Sequence, residues 1–276
     1  MPPDPAPPYA EVIGDPVAHS RSPLIHKCWL ERLGISADYF RTRVEPDTLG
    51  RFLRDRRSDG NWRGCSVTIP HKETVLAHVD ELDSSAAAIG AVNCVVPRPT
   101  GLVGYNTDVE GIAASLSGAP VHGERIAIIG GGGAARAAIA YLAEQGAGEV
   151  ILLVRDPAKA KPLRGLFSSV QIAALGAAPA LLRSASAIIN ASPLGMSGCP
   201  PMPEELIGAI RHAGAATLFD MVYDPVETAF LSAGTGKRVY GLTMLVGQAG
   251  KAFELFFGTP APAPDSKLRD LLAAGG

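Results

Sequence analysis

From Tyr9 onward, short apolar runs alternate with longer stretches whose apolar residues recur at helical spacing. Residues 9–14 (YAEVIG) read as a strand, 22–34 (SPLIHKCWLERLG) as a helix closed by glycine, and 38–44 (DYFRTRV) as a strand. Residues 46–60 then read as a helix and 64–70 (GCSVTIP) as a strand. Such alternation predicts a mostly parallel sheet covered by helices. Two more apolar runs, 91–97 (AVNCVVP) and 102–108 (LVGYNTD), flank the turn signal RPTG and predict a hairpin-like pair added to that sheet. Residues 108–117 look helical and lead into a polar break, SGAPVHG. A second series follows: a strand at 124–130 (ERIAIIG), an Ala-rich helix at 131–146, and a strand at 149–155 (EVILLVR). Further strand-like runs stand at 169–175, 186–192, 217–222 and 237–242. This is the pattern of a doubly wound sheet. From 244, MLVGQAGKAFELFFG and then DSKLRDLLAA carry helical spacing. The expected fold class is α/β in two domains. An N-terminal α/β domain spans 9–110, a doubly wound (Rossmann) domain spans 111–241, and 242–274 pack back on the first.

A chain of 276 residues is long enough for two modest domains. Its apolar fraction of 47% against 19% charged residues argues for buried strands and close-packed helices rather than disorder. The formal charge of −2 leaves no electrostatic footprint for nucleic acid or an anionic membrane. Arg51, Arg54, Arg56 and Arg57 lie among Asp55 and Asp59 and read as a solvated helix face. Cys28, Cys65, Cys94 and Cys199 form neither a CxxC nor a zinc pattern, so they read as reduced, mostly buried residues of a cytoplasmic protein. Residues 1–8 are proline-rich, lack the form of a signal peptide, and read as a frayed tail. No apolar run approaches the roughly 20 residues of a membrane helix. The expected partners are thus a small molecule, with no nucleic acid and no membrane, and a monomer or homodimer. His19, His26, His71 and His78 lack metal-ligand spacing, and no metal is expected.

Gly130, Gly131, Gly132, Gly133, Ala134 and Ala135 satisfy the G-x-G-x-x-A dinucleotide fingerprint between a predicted strand and a predicted helix. Glycines there permit a tight turn and close backbone approach, so pyrophosphate oxygens meet the free amides and positive end of the following helix. Arg155 and Lys159, at the end of the next strand, suit the 2′-phosphate of NADP, whereas Asp156 between them suits the ribose of NAD. Two cations against one carboxylate favour NADP and leave NAD open.

Read together, GDPVAHSRSPLIHK, GCSVTIPHK, GAVNC, GYNTD and GLTMLVGQAGKAFE resemble the shikimate dehydrogenase family, with GGGAARA, INASPLGM and DMVYDP falling in the family's order. The likeness runs from about Gly14 to Gly258. It implies NADPH-dependent reduction of 3-dehydroshikimate to shikimate, in aromatic amino acid biosynthesis, with the first domain taking substrate and the second NADP. It implies Lys72 and Asp108 as the catalytic pair, and both close strand-loop segments of the first domain in the pattern above. It places the substrate carboxylate near Ser20, Ser22 and Tyr223, and the ring hydroxyls near Thr68, Lys72, Asn93, Asp108 and Gln248. The backbone near Met221 and Gly241 would border the nicotinamide, with Asn190 and Ser192 opening a loop on the cofactor side. Ser22 also suits a helix cap before Pro23. Ser66 and Lys27 stand where the family commonly has Asn, Cys94 replaces Thr, and Val154 and Asp156 replace the residues around Arg155. These departures leave two rival readings: a quinate/shikimate or aminoshikimate dehydrogenase using NAD(P), and a non-catalytic ligand-sensing module.

Overall fold

The computed structural model describes residues 6–274. Two compact units divide them at Thr107/Asp108 and again at Gly247/Gln248, so the first unit is built from two separate stretches and the second from one. The sequence pattern had suggested 110/111 and 241/242.

The first unit contains β1 (Tyr9–Gly14), α1 (Ser22–Leu33), β2 (Asp38–Arg43), α2 (Leu49–Arg57), β3 (Trp62–Val67), α3 (His71–Thr74), β4 (Glu81–Leu82), α4 (Ser84–Ile89), β5 (Cys94–Arg98) and β6 (Gly101–Tyr105). Its six-stranded sheet has the order β2-β1-β3-β5-β6-β4. β1 runs parallel to β2 and β3, while β3/β5 and β5/β6 are antiparallel, the latter as the hairpin expected around Arg98 and Gly101. The two-residue alternation of a strand feeds two cores. Ile13, Cys65, Val67 and Val95 face one with Trp62, Leu49 and Leu53, and Ala10, Val12, Cys94 and Val96 face the other with Tyr39 and Phe256.

The second unit contains α5 (Asp108–Ser115), β7 (Arg125–Ile129), α6 (Gly133–Glu144), β8 (Glu149–Val154), α7 (Pro157–Ala160), β9 (Val170–Ala174), α8 (Ala178–Leu181), β10 (Ala187–Asn190), α9 (Glu204–Arg211), β11 (Thr217–Asp220), α10 (Ala229–Ala233) and β12 (Lys237–Val239). All six strands are parallel in the order β12-β11-β10-β7-β8-β9. Ile126–Ile129 and Val150–Leu153 are buried throughout, as strands covered on both faces must be. Ala135, Ala137 and Ala138 let α6 lie close to that sheet. The strand order reverses between β7 and β10, the position where open α/β sheets bind ligands. Helix α11 (Gly241–Phe257) has its first seven residues in the second unit and the rest in the first, and α12 (Ser266–Ala274) closes the first.

Several expectations need correction. The run at 237–242 is strand only to Val239, because Gly241 opens α11 three residues before Met244. Asp108 does not end a strand segment of the first unit; it is the first residue of α5 and of the second unit. Arg56 is only partly solvated: its guanidinium pairs at 2.7 Å with Glu11, whose side chain is 1% exposed. The expected tail lies partly outside the described residues, and its last member, Pro8, is anchored by the Asp38 amide at 3.0 Å.

Candidate active site

In the first unit, hydrogen bonds gather the ends of β1, β3 and β5. The Thr68 amide donates to the Ile13 carbonyl at 2.9 Å, and the His71 amide to the Thr68 carbonyl at 2.9 Å. The ring Nε2 of buried His71 lies 2.7 Å from the Val44 carbonyl. This pins the start of α3, where half-buried Lys72 stands. The Lys72 carbonyl in turn accepts from the Val92 amide at 2.8 Å, and the neighbouring Asn93 carbonyl accepts from Val67 at 2.7 Å. Thr68, Lys72 and Asn93 are therefore brought together by backbone contacts at one end of the inner strands.

Asn93 is 3% exposed and clamps Thr107 three ways: Oδ1 accepts from the Thr107 amide (2.7 Å) and hydroxyl (3.3 Å), and Nδ2 donates to that hydroxyl at 3.0 Å. Asp108, also 3% exposed, follows by one peptide bond. Ser20 and Ser22 are buried with their hydroxyls 3.2 Å apart. Ser22 does not cap α1. It is the helix's first residue, Arg21 holds the capping place, and the Ser20 oxygen accepts from the Ser22 amide at 3.3 Å. Gln248, on α11, is 8% exposed in the first unit, whereas Tyr223 is partly buried in the second.

The fingerprint of the second unit sits at the C-terminal end of β7. Gly130 adopts φ +114°, and a Cβ there would stand 2.8 Å from the Ala191 carbonyl oxygen, so only glycine fits. Gly131 and Gly132 are exposed, nothing lies within 4 Å of a Cβ at Gly132, and no side chain caps the 12-residue helix that follows. That leaves amides and the positive helix end open to an anion. Arg155, just after β8, and Lys159, on α7, are both exposed. Asp156 behaves differently from the ribose-binding acid that sequence had left open: its Oδ1 accepts from the amides of Ala158 and Lys159, capping α7. One carboxylate oxygen is thus engaged by the chain itself, and two cations stand against the single acid. These residues fit NADP.

Comparison with known proteins covers both units. A family model described as the shikimate dehydrogenase substrate binding domain matches residues 12–95. The shikimate dehydrogenase (NADP(+)) of Sphingopyxis alaskensis is 44% identical across 98% of each chain. The chain belongs to the shikimate dehydrogenase family. Shikimate 5-dehydrogenase from Thermus thermophilus, solved in complex with NADP(H) and shikimate, superimposes with a TM-score of 0.82 at 32% identity over 98% of this chain and 100% of that one. The Listeria monocytogenes shikimate 5-dehydrogenase, solved with shikimate and NAD, gives a TM-score of 0.82 at 25% identity over 96% of each.

Against the shikimate dehydrogenase pattern, Ser66 stands where Asn is common, and its hydroxyl accepts from the buried Tyr39 phenol at 2.8 Å. Tyr39 also stacks at 4.0 Å on His26, which is wholly buried and whose pKa burial pushes down to about 3. That ring is packing, as its lack of metal-ligand spacing suggested. The motif reading quoted Asp220 within DMVYDP and Asn190 within INASPLGM, but gave Asp220 no role and did not foresee the polar cluster that joins its buried side chain to Asn190 and Thr228.

Proposed function

We propose that the protein is a shikimate dehydrogenase that reversibly reduces 3-dehydroshikimate to shikimate with NADPH, in the aromatic amino acid pathway of the cytoplasm. The carrying observation is the 44% identity to an NADP(+) shikimate dehydrogenase across 98% of both chains, and the capping role of Asp156 supports the choice of NADP. When bound, the nicotinamide supplies the hydride.

The chain's own residues bind, orient and move the proton. Reduction of a ketone needs a proton at the carbonyl oxygen as hydride reaches the carbon, and oxidation needs a base for the hydroxyl. Lys72 and Asp108 are assigned that proton. Ser20, Ser22 and Tyr223 are assigned to the substrate carboxylate, and Thr68, Asn93 and Gln248 to the ring hydroxyls. A site built to bond hydroxyls rejects analogues lacking them by roughly 10⁴ or more, because its buried partners are left unpaired. Gly130–Ala134 are assigned to the pyrophosphate, Arg155 and Lys159 to the 2′-phosphate, and the Met221 and Gly241 backbone to the nicotinamide. The first unit then serves as the substrate domain and the second as the NADP domain.

Absorbance at the nicotinamide band, with shikimate or quinate offered to NADP⁺ or NAD⁺, tests the reading. Shikimate with NADP⁺ is the productive combination, and Lys72→Ala lowers kcat by about 10²- to 10⁴-fold with the melting temperature unchanged. Turnover chiefly with quinate or NAD⁺ would assign the rival dehydrogenase reading, and binding without turnover the sensing module.

A further inference from the structure

Asp220 ends β11 with a wholly buried side chain, and the reaction above gives it no task. Three donors converge on it. Oδ1 accepts from Asn190 Nδ2 at 2.9 Å and from the Val222 amide at 3.0 Å, and Oδ2 accepts from the Thr228 hydroxyl at 2.6 Å. These partners are neutral, and a buried carboxylate so surrounded costs free energy relative to a neutral side chain of similar shape. Packing alone therefore does not account for a polar side chain here.

Its connections do. Asn190, which Asp220 grips, also holds the loop after β10: its Oδ1 accepts from the Ser192 amide at 3.1 Å and hydroxyl at 2.7 Å. That loop presses on the first fingerprint glycine, where a Cβ on Gly130 would stand 2.8 Å from the Ala191 oxygen and 3.0 Å from the Ser192 nitrogen. In the other direction, the Val222 bond fixes the turn after β11. The start of α11 pins the same turn from outside, since a Cβ on Gly241 would stand 2.6 Å from the Val222 oxygen and 2.7 Å from that of Met221. One carboxylate thus links the backbone against Gly130 to the backbone at Met221.

We infer that Asp220 is a positioning residue for hydride transfer, setting the distance between the loop that grips the pyrophosphate and the Met221 backbone that borders the nicotinamide. This rests on the NADP reading above. It places the effect of losing Asp220 at the ring end of the cofactor, whereas Arg155, just after β8, and Lys159, on α7, hold the adenosine end.

Kinetics of shikimate oxidation by Asp220→Ala and Asp220→Asn, with calorimetric titration of NADP⁺ and of 2′,5′-ADP, test it. The latter carries the adenosine end without the nicotinamide. Asp220→Ala is expected to lower kcat about tenfold or more, the scale at which misplaced reacting groups lose rate, while 2′,5′-ADP affinity stays within about twofold. Asp220→Asn, whose amide keeps all three contacts by donating to Thr228, restores kcat. If Asp220→Ala does not accumulate folded, Asn190→Ala cuts the same link and is read the same way. A kcat unchanged in Asp220→Ala, an Asp220→Asn as slow as the alanine variant, or a parallel loss of kcat and 2′,5′-ADP binding overturns the inference. Wild-type protein that bound neither NADP⁺ nor 2′,5′-ADP would instead overturn the NADP reading, and the inference with it.

Discussion

Burial outweighs the three hydrogen bonds on Asp220 and pushes its pKa up from 3.8 to about 6. A folded pKa above the unfolded one means that the folded state holds the proton more tightly. The stabilisation is complete below about pH 3.8 and is lost as pH rises through about 6, by about 3 kcal/mol for a shift of two units. Asp220→Asn removes this dependence. Urea unfolding at pH 4 and pH 7 should therefore show wild type losing roughly 2–3 kcal/mol relative to the variant on going to the higher pH. Equal differences at the two pH values would refute it. Carboxyls held low by hydrogen bonds, Asp59 by the Tyr9 hydroxyl and Asp80 by the Leu102 amide, titrate in the opposite sense but are common to both proteins. At this scale the sequence was a partial guide. Lys72, Asn93 and the fingerprint glycines stand out by motif, whereas Arg56 among four arginines did not. Helical spacing cannot say which guanidinium meets an acid 45 residues away on β1.

The turn from β7 into α6 separates two uses of glycine. Gly132 is extended at φ −87° and ψ −169°, and open space surrounds its missing Cβ, so Gly132→Ala should leave the melting temperature unchanged. Its methyl group would stand where the pyrophosphate approaches, and calorimetric titration should show NADP⁺ binding weakened by about tenfold or more. Gly130→Ala should instead destabilise the fold by roughly 1–3 kcal/mol, through positive φ and contact with Ala191. Elements were legible where the pattern was strong. Strands buried on both faces give short runs rich in apolar residues, clearest in β7 and β8, and β7, β8, β10 and β11 fall where those runs lie. Helices α4 and α9 were passed over although each carries local signals. Asp83 caps α4, which stops at Gly90 in the left-handed conformation, and α9 follows Pro203 with two acids in its first turn and Leu206, Ile207 and Ile210 buried. The helix at Asp108 was legible from its spacing, but the unit boundary there was not, because the strand-like run LVGYNTD leads straight into it and the clamp on Thr107 comes from distant Asn93.

For the molecule, ligand binding should show as stability. A ligand present at a hundred times its Kd and bound only to the folded state adds about 2.7 kcal/mol. NADP⁺ should raise the unfolding temperature of wild type in calorimetry, and the double change of Arg155→Ala with Lys159→Ala should abolish that rise while leaving any response to NAD⁺ in place. An equal response to NADP⁺ in wild type and variant would remove the two cations from the cofactor's 2′-phosphate. The two-part organisation could be read from the recurrence of strand and helix. The division within α11 could not, since its apolar spacing runs unbroken past Gly247. That division also sets an order of assembly on the ribosome. Asp108–Gly247 leaves the exit tunnel as one uninterrupted stretch holding all six strands of its sheet. Residues 9–107 are made earlier, yet their His26 and Tyr39 lack Phe253 and Phe256 until that intervening stretch has been translated. The unit begun earlier is the later to finish its core.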